Sequence, residues 1–307
     1  MVYLLLGLAL FCLTVQGYCG KKSSTYAGNN SQVLLFNLVR LVLCVPISLG
    51  LFLASEGGLL LPELGMLAIS LLSGVANASF LVGWMLAVQK NTMVAVDVTL
   101  TLGSLLPAVL CALLFSESIS LFKMLGFALI LLASFILSGG RNGKGGLSGL
   151  PFLLLAVLGD GMVGFSQQLF KQYYTEGGRH AHGVFYSEAV FHFYTYLFAA
   201  VVLLIVFLVA RLKARGAPSR PPCLSREFWR ALPYIAVMAA CLFLANDFQL
   251  RASADYGMPS QVLYPIMKGG CLITANVTAL FFGERFTRRS ALGTLTALGG
   301  ILLMNLL

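Results

Sequence analysis

The sequence predicts an all-α polytopic membrane protein, with ten transmembrane helices arranged as two inverted five-helix repeats. Three observations predict it. The 307 residues are 59% hydrophobic and only 10% charged, with a mean hydropathy of +0.90, where an ordinary soluble domain has about 25% charged residues. Apolar runs recur along the whole chain, and at about 20 residues per crossing of the hydrocarbon core ten of them fill it with short connections. A block at residues 103–131 recurs at 270–298. No polar stretch is long enough for a soluble domain of about 50 residues.

Hydropathy places the spans at 2–19, 33–54, 64–88, 93–115, 120–138, 149–171, 184–209, 230–250, 258–282 and 288–306. They are continuous apolar runs rather than alternating ten-residue segments, which selects helices over a barrel. The first run starts without a basic leader and reaches Lys21 and Lys22 without a small-x-small cleavage site, so it reads as a retained helix. Residues 141–148 form a glycine-rich hinge between a first repeat, 1–140, and a second, 149–307. Residues 211–228 are a basic, proline-bearing loop, and Asn29-Asn30-Ser31 is a glycosylation sequon between spans one and two. Of seven cysteines, Cys12, Cys44, Cys111, Cys241 and Cys271 lie inside spans with no bridging or zinc spacing and read as small packing residues.

The repeat is read by shifting the chain 167 positions. Gly103, Ala112, Leu113, Phe115, Glu117, Leu125, Gly126 and Leu131 then fall on Gly270, Ala279, Leu280, Phe282, Glu284, Leu292, Gly293 and Leu298. Each half contains five spans, an odd number, so the second copy crosses the membrane in the opposite sense. That is the inverted-repeat plan of secondary transporters, whose substrate site lies near the midplane between the halves. Loop charge tests the inversion: the loops after spans 1, 3, 5, 7 and 9 carry fourteen Lys and Arg, the opposite loops only four (Lys123, Lys171, Arg179, Arg251). The positive-inside rule puts the basic loops in the cytoplasm and both termini outside.

The Phe115-Ser116-Glu117 and Phe282-Gly283-Glu284 breaks are each followed, nine residues after the Glu, by Gly126 or Gly293. They resemble the closing signature of the EamA-type repeat in the drug/metabolite transporter superfamily. The resemblance covers ten spans in two halves, with motif residues confined to the last two helices of each half. It implies a substrate path lined by the fourth and ninth helices, and Tyr264-Pro265 and Lys268 on span nine look like features of this superfamily. A lysine there recurs in its nucleotide-sugar and sugar-phosphate branches. Its ten-span members usually keep both termini in the cytoplasm, and the loop charges of this chain depart from that habit.

A charge at the bilayer centre costs roughly 2.5–3.5 kcal/mol on insertion scales, so each intramembrane ionisable group needs a reason. Lys268, ten residues into span nine, either faces a central cavity and contacts substrate or coupling ion, or forms a structural pair with a carboxylate on a neighbouring helix. Tyr264 lies one turn earlier on the same face. Pro265 frees a carbonyl, as a bent lining helix requires. Asp97 aligns with Tyr264 in the first half and so faces the same cavity if the halves are symmetric. Asp160, in the middle of span six, is a proton carrier or a carboxylate capping a Gly159/Gly161/Gly164 helix contact, with Gln167 and Gln168 further along. Glu188 and His192 share a face of span seven and are close enough to pair, with Tyr196 extending the stripe. Asn246, Asp247, Gln249 and Arg251 crowd the end of span eight, where solvation accounts for them. Glu117 and Glu284 lie at helix junctions, where a carboxylate meets the positive end of the next helix dipole, and act as hinge caps or loop anchors.

Enzyme motifs fail. The run to Lys144 has Ser138 where a phosphate loop needs its first glycine and Gly145 where it needs Ser or Thr. Val157-Leu158-Gly159-Asp160 lacks the leading glycine of the intramembrane aspartyl protease motif, and His180 and His182 have no partner at metal spacing. The expectation is a secondary active transporter in the plasma (inner) membrane, moving a small polar metabolite by alternating access with proton coupling or exchange. It needs no cofactor, metal or nucleic acid. Counting carboxylates favours cationic or zwitterionic cargo; protonated carboxylates would leave Lys268 to favour an anion. The alternative is a non-transporting membrane scaffold that holds a lipid or a partner. The small-residue ridge Gly293/Ala297/Gly300 packs within the bundle or between the protomers of a homodimer.

Overall fold

In hydrocarbon each backbone N–H and C=O must find its partner inside its own segment, which leaves helices as the natural form of long apolar runs. The structure, a computed structural model, describes residues 1–90, 96, 99–115, 120–138, 149–178, 180, 183–213, 225–258, 263–264, 266–268, 270–271 and 287–305. Among them the regular elements are helical: α1 (Val2–Ser24), α2 (Asn30–Glu56), α3 (Leu64–Lys90), a 3-10 turn Leu102–Ser104 leading into α4 (Leu105–Phe115), α5 (Leu121–Ser138), α6 (Leu150–Tyr174), α7 (Glu188–Lys213), α8 (Arg226–Ala254) and α9 (Arg288–Asn305). Six of these, α1, α2, α3, α6, α7 and α8, are long and apolar enough to cross a membrane, and the chain is an integral membrane protein. Residues 99–115 form a shorter apolar helix. The span read at 258–282 is helical at 263–264, 266–268 and 270–271. Asp97, Glu117, Pro265, Glu284 and the 141–148 hinge lie outside the described residues.

Local chemistry sets the helix ends. The Asn29 side chain accepts from the Gln32 backbone N–H at 2.9 Å while the Gln32 side chain accepts from Gly28 N–H at 2.7 Å, a reciprocal cap that starts α2 three residues before its apolar run. Gly57, at φ 70°, ends it in the left-handed conformation open to glycine. Ser225 caps α8 by accepting from Phe228 N–H at 3.1 Å. Pro46 and Pro233 lie inside α2 and α8.

α3 packs on α6 and α7, α2 on α7 and α8, and α1 on α8; α4 packs on α6, and α5 pairs with α9. Lipid tails are as apolar as leucine, so helices associate through close packing rather than a hydrophobic drive. The α3–α6 contact shows how close: a Cβ on Gly83 would lie 2.7 Å from Ala156 N, and one on Gly159 2.5 Å from Phe80 N. Phe36, Leu41, Leu81, Met85, Tyr196 and Phe243 fill the core among α2, α3, α7 and α8. Leu154, Leu158, Leu204, Ile205, Leu208, Leu295 and Leu302 point outward and exposed, an apolar face that lipid rather than water suits.

Candidate functional site

Five helices and the segment around 263–271 leave a central cavity of about 100 Å³. Leu13, Gln16 and Gly17 of α1, Asn77, Phe80 and Trp84 of α3, Asp160, Gly164 and Gln167 of α6, and Leu242, Asn246 and Gln249 of α8 line it. Gly103, Ser104 and Pro107 close one side, and Tyr264, Met267 and Lys268 close another. Its walls therefore combine apolar and aromatic surface with a few amides and charges, the composition of a site for a small molecule with a polar end.

Asp160 and Lys268 meet across this cavity. Lys268 Nζ donates to Asp160 Oδ2 at 2.5 Å, with side chains 17% and 15% exposed. A charge-assisted hydrogen bond is the arrangement that offsets the desolvation of two charges inside a bundle. Gly103 makes the room: a Cβ there would stand 2.7 Å from the same carboxylate oxygen. The Tyr264 hydroxyl donates to the Gly164 carbonyl at 2.7 Å and lies 3.4 Å from Gln167 Oε1. The structure thus brings Asp160, Gln167, Tyr264 and Lys268 together on one cavity. Lys268 therefore both lines the cavity and is paired with a carboxylate on a neighbouring helix.

His192 is 1% exposed and is not among the cavity-lining residues. It packs between Phe191, Tyr196 and Phe243. Its carboxylate neighbour is Asp247 rather than Glu188: Nε2 and Asp247 Oδ1 are 4.0 Å apart, too far for a hydrogen bond, and each atom lacks a partner among the described residues. The other Asp247 oxygen accepts from Arg251 Nε at 2.8 Å. Asp247 is 5% exposed, so at the polar end of span eight this carboxylate is packed inside the bundle, while the Arg251 side chain, 42% exposed, keeps the solvated position its composition suggests. Tyr196 connects this cluster to the cavity, since its hydroxyl accepts from Asn246 Nδ2 at 2.9 Å.

Gln16, Asn77, Asn246 and Gln249 line the cavity although their place in the sequence does not single them out as site residues. Gln16 and Asn77 carry the same signal as Gln167, an amide deep in an apolar run. Asn246 and Gln249 are masked by a hydropathy boundary at 250, whereas α8 runs on to Ala254. No protein-family model matches this chain, and no curated protein matches it.

Proposed function

We propose that the chain is a ten-helix secondary transporter of the drug/metabolite type, built as two inverted five-helix repeats, that moves a small polar metabolite by alternating access. The observation that carries this reading is the central cavity with the Asp160–Lys268 pair in its wall. A bundle held together only by packing has no use for two charges there, and their cost is repaid if cargo or a proton exchanges with one of them.

The pattern of helix contacts supports the repeat. Exchange each helix of the first half for its counterpart five spans later, α1 for α6, α2 for α7 and α3 for α8. The α1–α8 contact becomes α6–α3, and α2–α8 becomes α7–α3; α2–α7 and α5–α9 map onto themselves, and all of these contacts occur. The α4–α6 contact maps to one between span nine and α1, where Leu6 and Ala9 pack with Leu263 and Met267. The repeat-related glycines follow suit: a Cβ on Gly103 would strike α6 at Asp160, and one on Gly270 would strike α1 at Leu10.

Alternating access then works through the pair. Protonation of Asp160, or arrival of a charged cargo group, breaks its bond to Lys268 and loosens the joint between α6 and span nine, so one half moves against the other. The test is charge movement in proteoliposomes on a solid-supported membrane, challenged with pooled amines, amino acids, nucleosides and sugar phosphates. Currents from one pool that vanish in Lys268→Ala are the expected result. Folded protein silent with every pool, and without counterflow of labelled members of them, would remove the transporter reading in favour of a scaffold.

A further inference from the structure

Arg40 is the most anomalous group in the bundle. It sits ten residues into α2, is 1% exposed, and its Nε, Nη1 and Nη2 all lack a hydrogen-bond partner among the described residues. A guanidinium presents five donors in a rigid fork and keeps its proton, so it cannot escape burial by neutralising as a lysine or histidine does. The ionisable groups around it are Cys44, Tyr196, Cys241 and Cys19, with no described carboxylate among them. The other cation deep in the bundle is satisfied: Asp160 holds Lys268.

Arg40 does not itself line the cavity, but its neighbours lead to residues that do. Tyr196, beside it, is hydrogen-bonded by Asn246, a lining residue, and Cys241 adjoins Leu242, another. Gln16 is a third lining residue and its Oε1 is likewise buried without a partner. It falls between Cys12 and Cys19 at helical spacing on the face of α1 that meets Cys241. Two unsatisfied polar groups, an acceptor in the cavity wall and a cation outside it, therefore share Cys19 and Cys241 as neighbours.

We propose that Arg40 becomes an anion-binding element of this site when the Tyr196–Asn246 layer in front of it parts, and that the transported metabolite carries a carboxylate, free or as the acid end of a zwitterion, which the guanidinium fork then holds. The inference rests on the transporter reading and narrows its substrate class. A single guanidinium among neutral thiols and a phenol matches one negative charge, which suits a carboxylate better than a phosphate dianion, and the fork fits a planar carboxylate at two points. The Gln16 acceptor suits an N–H of the same molecule, and Trp84, Phe80 and Leu242 suit an apolar body.

The test is thermal unfolding of the purified chain in detergent with propionate, butyrate, hexanoate and leucine, each beside its amide. The expected result is stabilisation by the acids and not by the amides, with apparent affinity about tenfold weaker or worse in Arg40→Gln and reduced in Arg40→Lys. Without ligand, Arg40→Gln is expected to unfold at or above the temperature of the parent, because it removes an unpaired buried charge. Equal response to acids and amides, an acid preference that survives in Arg40→Gln, or loss of folding in both variants would overturn the assignment. The two proposals fail separately. Currents lost in Lys268→Ala without any acid preference leave the transporter and remove the Arg40 site, whereas acid-selective binding without flux does the reverse.

Discussion

Two charges 2.5 Å apart with side chains 15–17% exposed have lost much of their water, and each is stable there because the other is present. Removing one partner of a fully buried pair costs roughly 3–5 kcal/mol; with a cavity beside it, Asp160→Asn is expected to cost about 2 kcal/mol, read as a lower unfolding temperature in one detergent. The double variant Asp160→Asn/Lys268→Met should recover most of that loss, and a double variant no more stable than the worse single one would show that the pair is not coupled. Tyr264→Phe loses the hydrogen bond to Gly164 and the longer one to Gln167, about 1 kcal/mol in all. At this scale Asp160, Gln167, Tyr264 and Lys268 were legible because an ionisable or amide group deep in an apolar run is costly unless it meets a partner or lines a polar space. The partner of His192 was not legible, since the four-residue spacing that suggests Glu188 describes one helix, while the approach of Asp247 depends on how α8 is rotated against α7. Along the sequence Arg40 is only one more charge, because nothing in its neighbours along the chain distinguishes an orphaned guanidinium from a paired one.

Helices were legible as runs of hydropathy, but their ends and contacts obey other rules. Hydropathy places the second span at 33–54, and α2 covers Asn30–Glu56 because a side-chain cap and a left-handed glycine, rather than apolarity, terminate it. The tight α3–α6 joint is foreshadowed by Gly159 and not by Gly83, whose partner helix cannot be read from spacing. The joint makes a sharp prediction. At Gly159 the obstructing atoms are backbone, Phe80 N at 2.5 Å and Ala76 O at 2.8 Å, so Gly159→Ala must push two helices apart and is expected to destabilise by about 1–3 kcal/mol. Gly50, in the same kind of long helix, has nothing within 4 Å of a Cβ. Gly50→Ala should therefore be neutral or stabilising by up to about 1 kcal/mol from helix propensity alone. Thermal unfolding of the two variants side by side checks the contrast, and equal effects would mean that α3 and α6 do not meet this closely.

For the whole molecule, short connections decide which ends share a side of the membrane. α1 and α2 are joined through residues 25–29 and α2 and α3 through 57–63, and helices this long, about 35–40 Å at 1.5 Å per residue, cross about 30 Å of hydrocarbon. The two connections must therefore lie on opposite faces, with the first beside Lys21 and Lys22 and the second carrying Glu63, next to Glu56 at the end of α2, without a basic residue. We predict that the basic face is cytoplasmic, which leaves Met1 outside. The arrangement with both termini inside, usual where the EamA-type resemblance holds, would require the fourteen-to-four distribution of basic residues to be overridden by helix packing. A single cysteine settles the matter because Cys12, Cys19, Cys44 and Cys111 are buried and the half-buried Cys241 and Cys271 can be changed to Ser. In a background with Cys223, Cys241 and Cys271 changed to Ser, Leu61→Cys should react with a membrane-impermeant maleimide on intact cells, and Thr25→Cys only after permeabilisation. The opposite labelling would invert the protein and place its basic loops, including residues 211–230, outside the cell. The direction in which the proposed cavity first opens would then have to be reassigned with them.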